Sequence, residues 1–174
     1  LIYGDFDGEL IKKVSGRGKT AVDVQALLRH VDPKTNLMYF EDWKDKLEYL
    51  PCIDFLKTDA AEAEIMTGTS DRSKAARLLH NWGAKEVVIT HNTEVLAFDG
   101  NEIYTCPIKA RNLSGRSGRG DTTFAAYISE RVTGASVAEA LLWATATVSA
   151  KMEKPGPYKG TRADIEDYIR RFYK

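Results

Sequence analysis

The chain has 174 residues, of which 43% are hydrophobic and 29% charged, and its 25 lysines and arginines balance its 25 acidic residues. This composition excludes a disordered or collagen-like chain, and zero net charge gives no long-range attraction to nucleic acid or to an anionic membrane. Two cysteines are too few for a disulfide scaffold and favour a reducing, cytoplasmic setting, while no apolar run approaches the ~20 residues of a membrane span.

Helix and strand signals alternate through the first half of the chain. Gly16 stops one predicted helix and Gly83 closes a later one, and glycine is typical of helix ends. The pattern predicts helices over residues 7–14, 43–50, 59–66 and 70–82, with strands over 20–24 and 52–56.

The second half begins with strands and ends with helices. A strand is predicted over 86–90, and strands over 95–98 and 103–105 flank the hairpin signal Asp99-Gly100. Ser136 and Glu139 form a capping-box pattern that opens one of three C-terminal helices. Alternating strands and helices favour an open, mostly parallel α/β sheet, in which ligands bind beyond the carboxyl ends of the strands.

The most informative segment is the glycine-rich stretch over residues 114–124. Gly115, Gly118 and Gly120 allow a tight turn and close approach to a ligand, and a predicted helix follows at once. Backbone amides at such a helix start suit a phosphate group. Asp121 has two interpretations here: it is a base that accepts a proton from an attacking hydroxyl, or it is the N-cap of the helix.

Gly118-Arg119-Gly120-Asp121 resembles the G-A-G-D element of the ribokinase-like (PfkB) carbohydrate kinase family. The segment 57–62 is similar to that family's N-x-x-E motif, the strand over 86–90 resembles the strand beside the nucleotide phosphates, and Pro155-Gly156 fits the C-terminal region. The resemblance covers essentially the whole chain and corresponds to the family's C-terminal half. It implies a ribokinase-like, Rossmann-type sandwich, here as a single α/β domain over residues 1–174 without the lid and the N-terminal half.

The resemblance also implies an activity, namely ATP- and Mg²⁺-dependent phosphorylation of a hydroxyl group on a sugar or related polyol. It implies a small-molecule acceptor, no nucleic-acid or membrane partner, and allows a homodimer. The implied roles are Asp121 as catalytic base; Gly118, Arg119 and Gly120 as the anion hole; Glu62 at Mg²⁺; Asp59 and Thr90 near the nucleotide phosphates; and Ser149 and Met152 near the adenine.

The chain departs from the family pattern at several of these positions. Gly115 and Arg116 stand where the family usually has Asp-Thr, Arg119 replaces a small Ala, and Asp59 replaces Asn. Arg119 either steers phosphate or projects into water. Asp59 to Glu62 also reads as a helix capping box. Because the family keeps its sugar-binding residues in the N-terminal half, a non-catalytic nucleotide-binding module is the alternative function.

Overall fold

The computed structural model describes residues 3–174, and the chain divides into two compact units. The first unit runs up to Ile89 and includes Phe98–Ile103, and the second contains Thr90–Ala97 and Tyr104–Lys174. The single domain over residues 1–174 remains a prediction. None of the helices found in residues 3–174 is both long and apolar enough to cross a membrane.

The first half of the chain alternates helices with short strands. The helices are α1 (Gly8–Ser15), α2 (Gln25–Leu28), α3 (Lys46–Tyr49), α4 (Ala60–Thr67) and α5 (Arg72–Asn81); the strands are β1 (Ala21–Asp23), β2 (Arg29–Val31), β3 (Met38–Phe40), β4 (Phe55–Asp59) and β5 (Glu86–Thr90). Aspartates start three of these helices, because Asp7, Asp59 and Asp71 each accept a hydrogen bond from a first-turn amide. Local capping therefore fixes where the longer helices begin.

The later elements are β6 (Glu94–Phe98), β7 (Ile103–Pro107), α6 (Arg119–Val132), α7 (Val137–Met152) and α8 (Arg162–Phe172). The predicted capping box at Ser136 and Glu139 opens α7, and both of its hydrogen bonds are formed. Helix α8 packs on α7 through a cluster in which Ala146, Ile165 and Tyr168 are buried. This packing holds the C-terminal end of α7, where the chain returns towards the segment that precedes α6.

Five strands pair in the order β1-β4-β5-β6-β7, while β2 and β3 form a separate antiparallel pair. Strands β1 and β4 are parallel, with Ala21 opposite Phe55 and Asp23 opposite Lys57. Strands β5, β6 and β7 follow one another through the short segments 91–93 and 99–102. Because parallel neighbours need a much longer crossover, these three strands run antiparallel and the sheet is mixed. The predicted α/β class is confirmed.

Several element boundaries differ from those predicted. Strand β4 begins at Phe55 rather than at 52, because residues Leu50–Cys52 form a 3₁₀ turn that contains Pro51. Helix α3 is one turn long, and the short elements α2, β2 and β3 were not predicted at all. Val132, which the spacing places on the inner face of α6 with Phe124, is 56% exposed at the helix end. Each difference lies where an element is short or ending, so helical or alternating periodicity has too few residues to be detected.

Glu153, the C-cap residue of α7, joins three segments of the second unit. Its carboxylate accepts hydrogen bonds from the Arg111 Nε at 2.8 Å and from the Tyr168 hydroxyl at 2.8 Å. The Arg111 guanidinium, aided by these hydrogen bonds and opposed by burial, lowers the pKa of Glu153 from its ordinary 4.5 to about 2. A carboxyl whose pKa is lower in the folded than in the unfolded chain stabilises the fold fully at pH values above its unfolded pKa. This stabilisation is lost as the pH falls towards the folded pKa of about 2.

We therefore expect Glu153→Gln to lower the free energy of unfolding at pH 7 and to lower it less at pH 3, where the wild type has already lost part of this stabilisation. Urea denaturation of both proteins at the two pH values measures the difference. Equal effects at pH 7 and pH 3 would contradict the assignment of the low pKa to Glu153.

Candidate functional site

The glycine-rich turn before α6 leaves the start of this helix open. Gly118 is the N-cap residue, with a left-handed φ of +73°, and as a glycine it has no side chain that could cap the first turn. The Thr122 N–H donates to the Gly118 carbonyl at 3.0 Å. The amides of Arg119, Gly120 and Asp121 precede that first helical bond and have no acceptor within the helix. Together with the helix dipole, such amides suit an anion, and the anion-binding role of this turn stays a prediction.

Asp121 lies in the first turn of α6, with an exposed side chain. The interpretation of Asp121 as the N-cap is wrong, because Gly118 occupies that position. Among the described residues, none forms a hydrogen bond or ion pair with the Asp121 carboxylate. Its Oδ2 lies 3.9 Å from the point that a Cβ atom on Gly118 would occupy. An unpaired carboxylate beside the open amides has the position that a proton acceptor needs, and its role as base stays a prediction.

Two arginines meet beside this turn. The Arg119 guanidinium donates to Asn92 Oδ1 at 2.7 Å, and Arg116 donates to the same oxygen at 3.3 Å. The Arg119 head is thus tied to the turn after β5, and the choice between phosphate steering and projection into water stays a prediction. Each guanidinium group carries five N–H donors in a planar arrangement. The turn is thus flanked by two cations, an arrangement that favours a polyanionic ligand.

A third cation, Lys151 at the end of α7, lies beneath the turn. Its side chain is buried, and its Nζ donates to the Gly115 carbonyl at 2.6 Å and to the Ser117 carbonyl. Nζ lies 4.0 Å from the Cβ position of Gly118. Neither Lys151 nor Asn92 is predicted from the sequence. The only sequence signal for Lys151 is a lysine inside the otherwise apolar inner stripe of α7.

The remaining residues predicted near a nucleotide in the second unit are buried. Thr90 is the last residue of β5 and is 3% exposed. The Ser149 hydroxyl donates to the Thr145 carbonyl at 2.7 Å and accepts from the Lys109 N–H, and Met152 is 1% exposed. Ser149 and Met152 have no free surface for an adenine ring in this conformation, so their predicted direct contact stays a prediction without structural support.

Asp59 and Glu62 form the capping box of α4 in the first unit. The Asp59 N–H donates to Glu62 Oε2 at 2.8 Å, and the Glu62 N–H donates to Asp59 Oδ1 at 2.9 Å. The structural interpretation of this segment is therefore confirmed. Only Glu62 Oε2 takes part in the capping box, and the buried Glu62 Oε1 has no hydrogen-bond partner.

A buried lysine lies beside this capping box. Lys57, on β4, contacts Asp23 Oδ2 at 2.8 Å and lies 4.0 Å from Glu62 Oε2. Burial raises the pKa of Glu62, and it outweighs the Lys57 ammonium, which acts in the opposite direction. These charged groups lie at the carboxyl ends of two parallel strands, where ligands of α/β sheets bind.

The residues present fit Mg²⁺ only in part. Within residues 3–174, no three His, Cys, Asp or Glu side chains converge as a metal cage. Mg²⁺ usually keeps several water ligands and uses one or two carboxylates together with substrate phosphates. The unpartnered Oε1 of Glu62 is a suitable oxygen for that mode of binding. The role of Glu62 at Mg²⁺ therefore stays a prediction.

Comparison with solved structures gives the same fold over the whole chain. A pyrophosphate-dependent myo-inositol-1 kinase, converted into a myo-inositol-3 kinase by substitution, is 36% identical with a TM-score of 0.87 over 100% of this chain. A pyrophosphate-dependent kinase of the ribokinase family, complexed with a pyrophosphate analogue and myo-inositol, is 36% identical with a TM-score of 0.87 over 96% of the chain. Arabidopsis thaliana ribokinase, complexed with ribose and ATP, shares the fold at 20% identity, with a TM-score of 0.74 over 97% of this chain and 54% of its own.

The chain spans 62% and 60% of the two pyrophosphate-dependent kinases. A cytidine kinase from Thermococcus kodakarensis is 39% identical over 77 residues, which are 42% of this chain and 28% of that protein. Residues 15–164 match the family described as pfkB family carbohydrate kinase. The open amides of α6, the nearby unpaired carboxylate and the ribokinase-like sheet all lie within that match, and the chain belongs to the pfkB family of carbohydrate kinases.

Proposed function

We propose that this chain carries the donor site and the base of a phosphotransferase that phosphorylates an alcohol group of a sugar or related polyol. ATP with Mg²⁺ is the donor that the family membership favours. The observation that carries the proposal is the uncapped start of α6, whose open amides lie beside the unpaired Asp121 carboxylate. The complexes of relatives with ribose and ATP and with myo-inositol are consistent with it.

The proposed reaction needs three contributions from these residues. The amides of Gly118, Arg119 and Gly120 hold the transferred phosphoryl group, whose oxygens gain charge during transfer. Asp121 accepts the proton of the acceptor hydroxyl as the new O–P bond forms. The anhydride P–O bond breaks at the same phosphorus atom, and the leaving group departs as ADP. When bound, Mg²⁺ neutralises phosphate charge, and Glu62 would hold its water shell.

Pyrophosphate is a second candidate donor, and the arginine pair favours it. A nucleotide gains binding energy from its base, whereas pyrophosphate offers only phosphate oxygens and needs more positive charge around them. Arg116 and Arg119 supply that charge beside the turn. The burial of Ser149 and Met152, the residues expected near adenine, is consistent with a donor that has no base. Two relatives at 36% identity are described as pyrophosphate-dependent.

A donor and acceptor panel on the full-length protein tests the proposal. ATP and pyrophosphate are each offered with Mg²⁺ and with ribose, myo-inositol or cytidine, and phosphate esters are detected by ³¹P NMR. We expect an ester with at least one pair, and the donor that yields it decides between ATP and pyrophosphate. Donor binding without any ester would instead support the non-catalytic binding module.

Glu62→Gln separates the metal role from the capping role. We expect the variant to need more Mg²⁺ for half-maximal turnover, because a neutral amide is a weaker magnesium partner than a carboxylate. Donor affinity without metal should stay the same. Glu139→Gln is the matched control, because Glu139 makes the same capping contact on α7. Superimposable Mg²⁺ titrations for wild type and Glu62→Gln would leave Glu62 as a capping residue only.

A further inference from the structure

The antiparallel pair of β2 and β3, here called the ribbon, spans residues 29–40 and is separate from the five-stranded sheet. Side-chain hydrogen bonds hold its turn, because Asp32 Oδ1 accepts from the Lys34 N–H at 2.7 Å and from the Thr35 N–H at 3.2 Å. Asn36 completes the turn with a left-handed φ of +56°. The ribbon is therefore preformed, although a two-stranded sheet without a cover is only marginally stable in water.

The ribbon and the residue beside it expose a large apolar surface. Six of their side chains are between 37% and 68% exposed: Tyr3, Val31, Leu37, Met38, Tyr39 and Phe40. With roughly 150–250 Å² for each large side chain when fully exposed, the set presents about 600 Å² per chain. This area is at the upper end of the range for a monomer. Two copies together bury about 1,200 Å², which is enough for a specific interface.

One long edge of the ribbon is covered and carries a stack of rings. The Arg29 carbonyl on β2 accepts a hydrogen bond from the Tyr3 N–H at 2.6 Å. The rings of Tyr3 and His30 stack with their centroids 4.1 Å apart, and the His30 ring lies 5.3 Å from the ring of Tyr39 on β3. The stack thus crosses the ribbon on one face and reaches Tyr39.

The other long edge of the ribbon, formed by β3, is open. The Leu37 carbonyl accepts from the Asp32 N–H at 3.0 Å, which makes these two residues a hydrogen-bonded pair. Because such pairs alternate along antiparallel strands, the backbone groups of Leu37 and Tyr39 face β2. Those of Met38 and Phe40 face outwards, and β3 has no second neighbour among the strands of residues 3–174. An open apolar edge of this kind is a template for another strand.

A second copy of the chain satisfies this edge in one register. When β3 pairs antiparallel with β3 of the second copy about a two-fold axis at Tyr39, Met38 lies opposite Phe40 of that copy. Each of the two Met38–Phe40 pairs then exchanges two hydrogen bonds, so every outward backbone group of both residues is paired. The two Tyr39 side chains meet at the axis on the same face, which joins the ring stacks of the two ribbons.

We infer that the β3 edge is a homodimer surface, at which two copies of this chain form a four-stranded sheet in the order β2-β3-β3-β2. Apolar side chains of one ribbon then lie beside those of the other on both faces of the sheet. The ribbon is preformed, so little ordering opposes association. This inference does not rest on the proposed function, because it uses only the ribbon and Tyr3.

Sedimentation equilibrium of the full-length protein is the first test. We expect a dimer at a protein concentration of about 100 μM. Met38→Lys places a charge on the open edge, as natural edge strands do, and should raise the dimer dissociation constant at least about 10-fold. Val132→Lys changes an equally exposed apolar residue on α6 and should leave the constant unchanged. A wild-type monomer at that concentration, or a dimer that Met38→Lys leaves intact, would overturn the inference.

Disulfide trapping tests the register and does not depend on a charged variant. Residues opposite each other in a non-hydrogen-bonded antiparallel pair have Cα atoms about 4.5 Å apart, within disulfide range. Tyr39→Cys, combined with Cys52→Ser to remove the less buried native thiol, should therefore form a covalent dimer on oxidation.

Met38→Cys in the same background is the matched control. In the inferred register the two copies of residue 38 are offset by two positions along the strands, so their Cα atoms lie more than about 7 Å apart and cannot be bridged. We expect no covalent dimer from this variant. Failure of Tyr39→Cys to crosslink, or equal crosslinking of Tyr39→Cys and Met38→Cys, would overturn the inference.

Discussion

Asp121→Asn is expected to lower turnover by roughly 10²- to 10⁴-fold, the usual effect of removing a general base. The amide keeps the size of the side chain but cannot take the proton of the acceptor hydroxyl at neutral pH. Donor affinity should hold or improve, because one negative charge beside the open amides of α6 disappears. Single-turnover kinetics with saturating donor, together with donor titration calorimetry, measure the two effects separately.

The fold supplies a matched control for this substitution. Asp71 is a true N-cap, since its side chain accepts from the Ser73 and Lys74 amides. Asp71→Ala should reduce the free energy of unfolding by about 1 kcal/mol and leave turnover intact. Asp121→Asn should show the reverse pattern, because Gly118 and not Asp121 caps α6. Near-normal turnover in Asp121→Asn would remove this residue from the catalytic role.

Arg119→Ala is expected to weaken pyrophosphate binding by about 10- to 100-fold, which corresponds to the loss of one hydrogen bond from a charged group. ATP, if it binds, should be affected less, because a nucleoside adds contacts that do not depend on this arginine. Isothermal titration with each donor measures the two dissociation constants. A larger increase in the dissociation constant for pyrophosphate than for ATP would show that Arg119 contacts mainly the pyrophosphate donor.

The control for Arg119 is an arginine of equal charge far from the turn in sequence. Arg170 forms an exposed ion pair with Asp167 on α8 at 3.2 Å, and Arg170→Ala should leave both dissociation constants unchanged. The variant Arg119→Lys keeps the charge but loses the planar set of donors, so it should recover only part of the affinity. Equal losses for pyrophosphate in Arg119→Ala and Arg170→Ala would show a general charge effect and contradict a specific contact.

The sequence allows much of this site to be predicted because its signals are local. The glycine spacing before α6 and the capping boxes of α4 and α7 each depend on residues within five positions of one another. Lys151 could not be found in this way, since it contacts the Gly115 carbonyl 36 positions away, and Asn92 contacts Arg119 across 27 positions. Such contacts depend on how helices and turns pack, and no periodic pattern encodes them.

The helix and the two strands within residues 25–40 were not predicted because each is very short. Helix α2 has four residues and strands β2 and β3 have three each, so each element spans little more than one repeat of its own period and shows no detectable pattern. The burial of Ser149 is likewise invisible in sequence, because its partner Lys109 lies on another segment. A resemblance transfers the role of a residue but not the surroundings that make the role available.

The close approach at Gly115 constrains how this chain can change during evolution. A Cβ atom at Gly115 would lie 1.9 Å from the Lys154 carbonyl, so no side chain fits while the backbone after α7 stays where it is. Gly115→Asp, which would restore the aspartate that the family usually carries here, therefore does not fit as a single substitution. The aspartate could return only after the 152–154 segment had shifted, which would also move the lysine that holds the loop. We therefore expect positions 115 and 151 to change together rather than separately.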